Sequence, residues 1–192
     1  TDEWRSFGDF SNKVIMKAAI EESFVKSKDV AVFAPMAQKY IPETVQMHGF
    51  VKGKLANIRA EELYISAGKN TVIDITGNIK GLPHISQTLF DLKVNQLKTN
   101  PDDLKRILTF VKIPKQLDNS GNISFKGTYF GFINDFVAKG ALNTDNLGNL
   151  VTDIRMSFPK GQAPKYSGNV IAKGLNLAEL TGNHKLLGTI DL

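Results

Sequence analysis

Cysteine is absent from the sequence, which rules out a disulfide framework, a thiolate nucleophile and a cysteine-bound zinc ion. No apolar run approaches the roughly 18 residues that a membrane-spanning helix needs. No secretory signal peptide is recognisable either. The sequence begins at Thr1 rather than at Met and stops at Leu192 within a strand pattern. We therefore expect a fragment of a longer protein, with any anchor or targeting segment outside it.

Long blocks of like charge are also missing. The formal net charge is +5, and the basic residues are scattered, mostly between apolar neighbours. This pattern is typical of the solvated face of strands and argues against nucleic-acid binding. Attraction to anionic lipid surfaces is the alternative interpretation. The hydrophobic content of 42% is sufficient for a buried core.

Catalytic and metal-binding motifs are absent from the sequence. None of the three histidines has a partner at a metal-ligand spacing, and residues 143–148 lack the closing Glu of a calcium loop. Asp102 and Asp103 are adjacent, so they do not face each other on a helix and are interpreted as charges that complement its positive end. The sequence thus predicts no enzyme, no cofactor and no metal site.

A period of two dominates the rest of the chain. Alternating apolar and polar residues, the pattern of half-buried antiparallel strands, occupy residues 45–55, 71–79, 90–95, 123–129 and 150–158. Turn-forming residues lie between the runs, at 67–70, 118–122, 144–149 and 159–164. We therefore predict a mainly β fold of antiparallel strands.

Short helical segments interrupt the strands at 29–40, 100–108 and 176–180. The strand pattern that contains Gly53 returns 74 residues later around Gly127. A period of this length predicts one elongated, repeat-built segment rather than a closed globule. The approximate units are 1–44, 45–118 and 119–185, with the start of another at 186–192.

Bulky apolar residues concentrate around one predicted strand pair: Phe125, Tyr129, Phe130, Phe132, Ile133, Phe136 and Val137. Two interpretations stay open, namely the closed core of a sandwich or barrel and an open apolar groove lined by the same residues. The groove is favoured because a sheet left open in the strand run at Leu192 should continue into neighbouring units.

A series of short runs, in a fixed order, carries a family resemblance that covers roughly residues 20–192. The runs are 29–35, 77–83, 121–127, 129–132, 140–144, 151–154, 164–168, 177–180 and 187–190. In this order they resemble the AsmA/TamB family of bacterial envelope proteins, and most of all the TamB-like translocation and assembly modules of Bacteroidetes.

The resemblance implies a very long protein that is anchored in the inner membrane by an N-terminal helix and crosses the periplasm of a Gram-negative bacterium. It implies a stack of β-sheet units curled into a taco-shaped groove, a β-taco, similar to chorein-type bridge proteins that conduct phospholipid. TamB itself partners an outer-membrane Omp85-family protein in assembling outer-membrane proteins. The family has no catalytic residues. This sequence contains neither the anchor nor the C-terminal region proposed to meet that partner.

The leading hypothesis is a passive conduit in which phospholipid acyl chains slide along an apolar groove towards the outer membrane. Burial of apolar surface, at about 25 cal/mol per Å², supplies affinity without directional contacts. The predicted lining residues are Val45, Met47, Val51, Leu55, Ile73, Ile75, Phe90, Leu92, Val94, Phe125, Tyr129, Ile154, Met156 and Phe158. One alternative is a chaperone-like module that pairs with strands of outer-membrane proteins. A structural spacer with a dry core is the other.

Overall fold

The structure is a computed structural model that describes residues 13–28, 44–107, 113 and 115–192. All five runs with a period of two form strands, and four further long strands precede, separate or follow them. The helix expected at 29–40 lies outside the described residues.

Nine strands form one antiparallel sheet in which each strand pairs with the next along the chain. The strands are β1 (Ile15–Lys26), β2 (Thr44–Lys54), β3 (Asn57–Ala67), β4 (Thr71–Lys80), β5 (Leu89–Thr99), β6 (Ile123–Phe132), β7 (Asp135–Thr144), β8 (Gly148–Ser157) and β9 (Lys165–Lys173). Because β1 and β9 do not pair, the sheet is open rather than closed into a barrel. The predicted fold class, an open antiparallel sheet with short helices, is confirmed.

Two short helices follow the fifth and ninth strands, where the sequence predicted them. They are α1 (Pro101–Ile107) and α2 (Leu177–Thr181). Beside α2, the two-residue strands β10 (Leu175–Asn176) and β11 (Thr189–Ile190) pair with each other. No helix within the described ranges has both the length and the apolar character needed to cross a bilayer.

The element order is the same in two successive stretches: β2 to β5 followed by α1, and β6 to β9 followed by α2. Both helices begin after an Asn whose side-chain oxygen accepts a hydrogen bond from the amide three residues on. The distances are 2.8 Å from Asp103 to Asn100 and 3.2 Å from Glu179 to Asn176. The second stretch differs in having β10 between β9 and α2. The expected repeat and its unit boundaries 1–44, 45–118 and 119–185 stay a prediction.

The register of the strands separates two faces. We call the face with the apolar side chains the inner face, and the opposite one the outer face. One row on the inner face runs through Ala18, Val51, Ala60, Gly77, Leu92, Tyr129, Ala138, Ile154 and Gly168. The matching outer row is Lys17, Lys52, Arg59, Asn78, Asp91, Phe130, Val137, Arg155 and Ser167. One face is therefore apolar across all nine strands, and the other carries most of the charge.

Glycines on the inner face allow neighbouring strands to approach closely. A Cβ at Gly77 (φ +143°) would collide with the backbone oxygen of Asp91, and one at Gly168 (φ +130°) would collide with that of Asp153. L-residues with a side chain rarely adopt either conformation. Inner-face glycine therefore allows a local backbone bend that a larger residue would prevent.

The packed core lies on the inner face of β3, β4 and β5. Its buried cluster consists of Ala60, Leu63, Ile75 and Val94. Half-buried residues of β1, β2 and β6 pack against this cluster, among them Ile20, Val51 and Phe125. The first half of the sheet therefore holds the best-buried apolar side chains.

Candidate functional site

The inner face of the sheet is the candidate site, because it offers a continuous apolar surface. In the part of the chain that the structure describes, the long strands contact chiefly their neighbours, and the second, two-stranded sheet β10–β11 lies beside the end of β8. Most inner-face side chains outside the core cluster are consequently half-buried. A surface of this kind can hold an apolar ligand without unfolding of the sheet.

Twelve of the fourteen predicted lining residues lie in strands, and all twelve are on the inner face. They are Val45, Met47 and Val51 in β2, Ile73 and Ile75 in β4, Phe90, Leu92 and Val94 in β5, Phe125 and Tyr129 in β6, and Ile154 and Met156 in β8. Leu55 lies in the turn after β2, and Phe158 directly follows β8. The structure thus brings the set together, while its role in lipid binding stays a prediction.

The bulky residues around the β6–β7 pair are divided between the two faces. Phe125, Tyr129 and Phe136 lie on the inner face. Phe130, Phe132 and Val137 lie on the outer face and are exposed. The interpretation of one groove lined by all of these residues is therefore wrong, because successive residues of a strand point to opposite faces.

An aromatic ladder crosses the inner face from β5 to β9. Its ring centroids are 6.3 Å apart between Phe90 and Tyr129, 4.7 Å between Tyr129 and Phe136, 6.3 Å between Phe136 and Phe158, and 6.4 Å between Phe158 and Tyr166. These separations are in the range at which aromatic pairs stabilise each other. The predicted lining list omitted Phe136, which the sequence placed only in the bulky apolar set, and Tyr166. An apolar residue at every second position through 136–142 and 166–172 was the signal for both.

Tyr129 places one hydroxyl within this apolar ladder. The hydroxyl donates a hydrogen bond to the backbone oxygen of Phe132 at 2.9 Å, so its polar hydrogen is satisfied by the protein itself. Burial raises the pKa of Tyr129 above its ordinary value, which keeps the side chain neutral. The ladder therefore presents no charge to a ligand.

Asp103 fastens α1 to the turn between β3 and β4. Its carboxylate accepts hydrogen bonds from the amides of Lys69 at 3.0 Å and Asn70 at 2.6 Å, and from the Thr71 hydroxyl at 3.2 Å. Burial opposes ionisation, but these donors outweigh it and hold the pKa of Asp103 below its ordinary value. Its main contact is thus with a distant turn, which the interpretation as a helix-end charge did not include.

The outer face is a solvated, charged surface. Lys139 and Asp153 face each other across β7 and β8 at 2.9 Å, and Arg155 binds Asp135 at 3.0 Å. The hydrogen bond from Arg155 holds the pKa of the Asp135 carboxyl below its usual range. Within the described residues, no group of three His, Asp or Glu side chains could hold a metal ion.

No family model, curated protein or solved structure matches this chain. The class of the protein therefore follows from its own geometry: an open antiparallel sheet with one continuous apolar face and one charged face.

Proposed function

We propose that this chain is a periplasmic segment of an inner-membrane-anchored protein of the AsmA/TamB type. In this proposal its inner face shields phospholipid acyl chains and conducts them towards the outer membrane, where the full-length protein meets an Omp85-family partner. The observation that carries the proposal is the apolar row shared by all nine strands, with most of the charged side chains on the opposite face.

The dimensions of the sheet suit an extended ligand that moves from strand to strand. Nine strands at a spacing of about 4.8 Å give an apolar track of roughly 40 Å. Contact with aliphatic and aromatic surface is non-directional, so an acyl chain can shift along the track without breaking specific bonds. Thr152 lies on this track, and its hydroxyl donates to the backbone oxygen of Gly140 at 3.3 Å. That hydroxyl is therefore not a polar obstacle.

The test is phospholipid mass spectrometry on the chain expressed in a Gram-negative periplasm and purified without detergent. The inner-face variant carries Phe125→Glu and Met156→Asp. The control carries Val137→Glu and Val151→Asp, which place the same charges on exposed outer-face positions. We expect co-purified phospholipid in the parent and the control, and little in the inner-face variant. Equal lipid in all three folded proteins, verified by circular dichroism, would overturn the proposal.

A second candidate function, strand uptake from an outer-membrane client protein, is favoured by the edge of β9. Ala172 exchanges two backbone hydrogen bonds with Leu192, at 2.9 and 3.0 Å, on the side away from β8. Because backbone groups alternate along a strand, those of Val170, Gly168 and Tyr166 point to the same side. In the described part of the chain no strand pairs with them, so a client strand could add here.

Proline substitution separates the two candidate functions. Val170→Pro removes an edge donor and spares the bonds to β8, whereas Ile171→Pro, the control for sheet damage, removes a donor that faces β8. If strand uptake is the function, Val170→Pro abolishes binding of a fluorescent peptide with the sequence of an outer-membrane strand. Val170 lies on the inner face, and proline keeps this position apolar. If lipid conduction is the function, this variant therefore still co-purifies phospholipid.

A further inference from the structure

An apolar cavity of about 260 Å³ lies at the end of the inner face beside α2. We call it the side pocket. Three of its lining residues, Leu142, Leu150 and Ala172, form one inner-face row across β7, β8 and β9. Its other lining residues include Leu147, Leu175 and Leu180. The side pocket is therefore continuous with the inner face.

The described lining of the side pocket offers no free polar group to a ligand or to water. Among the described residues that line the side pocket, only Thr144 has a polar side chain. Its hydroxyl donates to the Gly148 oxygen at 2.8 Å and accepts from the Leu147 amide at 3.0 Å. Water needs two to four polar partners in a cavity, and an aliphatic cavity of roughly 150 Å³ in another protein stays dry and binds benzene. The chemistry of the side pocket therefore fits a hydrocarbon ligand.

At the corresponding place beside α1, the buried side chains that the structure describes are polar. There the hydroxyls of Thr71 and Thr99 are 2.8 Å apart, and Thr71 donates to Asp103 at 3.2 Å. All three side chains are buried. The two ends share an element order but not their chemistry, so the contents of one end do not predict those of the other.

Leucines lie close to the equivalent places beside α2. Gly148, which begins β8, is the register counterpart of Thr71, and Leu147 directly precedes it. Leu175 precedes the capping Asn176, as Thr99 precedes Asn100. The counterpart of Asp103 is Glu179, and its carboxylate accepts a hydrogen bond from Asn119 at 3.4 Å instead. The polar contacts of the first end are therefore replaced by apolar walls.

We propose that the side pocket binds the terminal part of one unbranched alkyl chain, and that the end beside α1 does not. This inference rests on the proposed function, because the rest of the acyl chain would lie on the inner face. It extends that function by assigning a fixed binding site to the end of an acyl chain that otherwise slides along the inner face. A free fatty acid is sufficient to occupy it, since only the hydrocarbon contacts the walls.

The probe is palmitate with a ¹³C-labelled terminal methyl group, added to the chain with labelled leucine methyls. We expect nuclear Overhauser effects from the palmitate methyl group to Leu147 and Leu180. Two variants remove the cavity or its apolar character: Ala172→Leu fills it, and Leu147→Thr with Leu175→Thr places hydroxyl groups in its walls. In each variant we expect binding at this position to weaken about tenfold or more, a loss of about 1.4 kcal/mol.

The matched control is Val151→Thr with Ile171→Thr, two exposed outer-face positions that should leave palmitate binding unchanged. Absence of contacts to Leu147 and Leu180 in the folded parent would overturn the inference, including the case in which the chain itself fills the side pocket. The two proposals can fail separately. Co-purified phospholipid without these contacts would contradict only the side pocket, and the contacts without co-purified phospholipid would contradict only the conduit.

Discussion

The two halves of the sheet, β2 to β5 and β6 to β9, have the same strand order, but their inner-face side chains differ. In β2 to β5 the inner face is mostly aliphatic and contains the buried cluster of Ala60, Leu63, Ile75 and Val94. In β6 to β9 it carries most of the aromatic ladder, and in β9 every residue except Ala172 is exposed. The first half is thus the better source of folding stability, and the second half is the more accessible surface for a ligand.

The largest expected effect concerns the core of the first half. Ile75→Ala should lower the free energy of unfolding by about 3 kcal/mol, because Ile75 is 6% exposed and a cavity would remain. The matched Ile154→Ala, on the half-buried inner face of β8, should cost about 1 kcal/mol. Urea denaturation measures both values. Equal losses would break the distinction between a packed half and an accessible half.

A smaller effect is expected from filling the glycine positions. Gly77→Ala should cost about 2 kcal/mol, because the methyl group meets the backbone of β5 and the positive φ is strained. Gly168→Ala should cost less, since β9 is the last strand of the sheet and can move away from β8. Gly188→Ala, with open space around it, is the control and should be near neutral. Thermal unfolding of the three variants distinguishes these cases, and a larger loss at Gly168 would contradict the expected order.

A pH-dependent effect is expected from Asp103, whose carboxylate joins α1 to the turn between β3 and β4; we call these hydrogen bonds the clamp. The folded-state pKa of Asp103 is lowered, so its contribution is present above the unfolded value of about 3.9 and is lost as pH falls through the folded value. Asp103→Asn should cost about 1.5 kcal/mol at neutral pH and progressively less in acid. Glu179→Gln, whose hydrogen bond to Asn119 is exposed, should cost little at neutral pH. Parallel stability curves for Asp103→Asn and the parent between pH 2 and 7 would show that the ionised clamp is not what holds α1.

The smallest effect is expected on the outer face. Arg155→Gln removes an exposed ion pair with Asp135, and such pairs contribute little because water and salt screen them. We expect no measurable change in the urea midpoint or in the amount of co-purified lipid. A large loss of co-purified lipid in this variant would indicate that the lipid-binding site includes the outer face.

Sequence periodicity predicted the strands with a clear contrast between apolar and polar positions, and missed those in which small residues, a bulge or exposure of both faces weakens that contrast. β4 and β8 were evident because one residue in two faces the apolar side. In β3 a bulge places Glu61 and Glu62 between the inner-face residues Ala60 and Leu63, so the alternation changes phase. In β9 both faces are largely exposed, and the apolar signal is correspondingly weak.

The sequence predicted those parts of the site that depend on the residue pattern within one strand. Alternation alone placed twelve lining residues on the inner face. It gave no sign that Asp103 binds a turn 33 and 34 residues away, or that Leu142, Leu150 and Leu180 meet around one cavity. Contacts between segments distant in sequence depend on register and on helix placement, which no single run of residues encodes.

The most direct test of the lipid-binding claim is photocrosslinking at two phenylalanines of the same strand pair. Phe136 lies on the inner face and Phe130 on the outer face, so a benzophenone side chain at each samples one face. The chain is illuminated with vesicles of bacterial phospholipid, and adducts are identified by mass spectrometry. The account predicts phospholipid adducts at position 136 and few at position 130. Adducts at neither position, or equally at both, would contradict it.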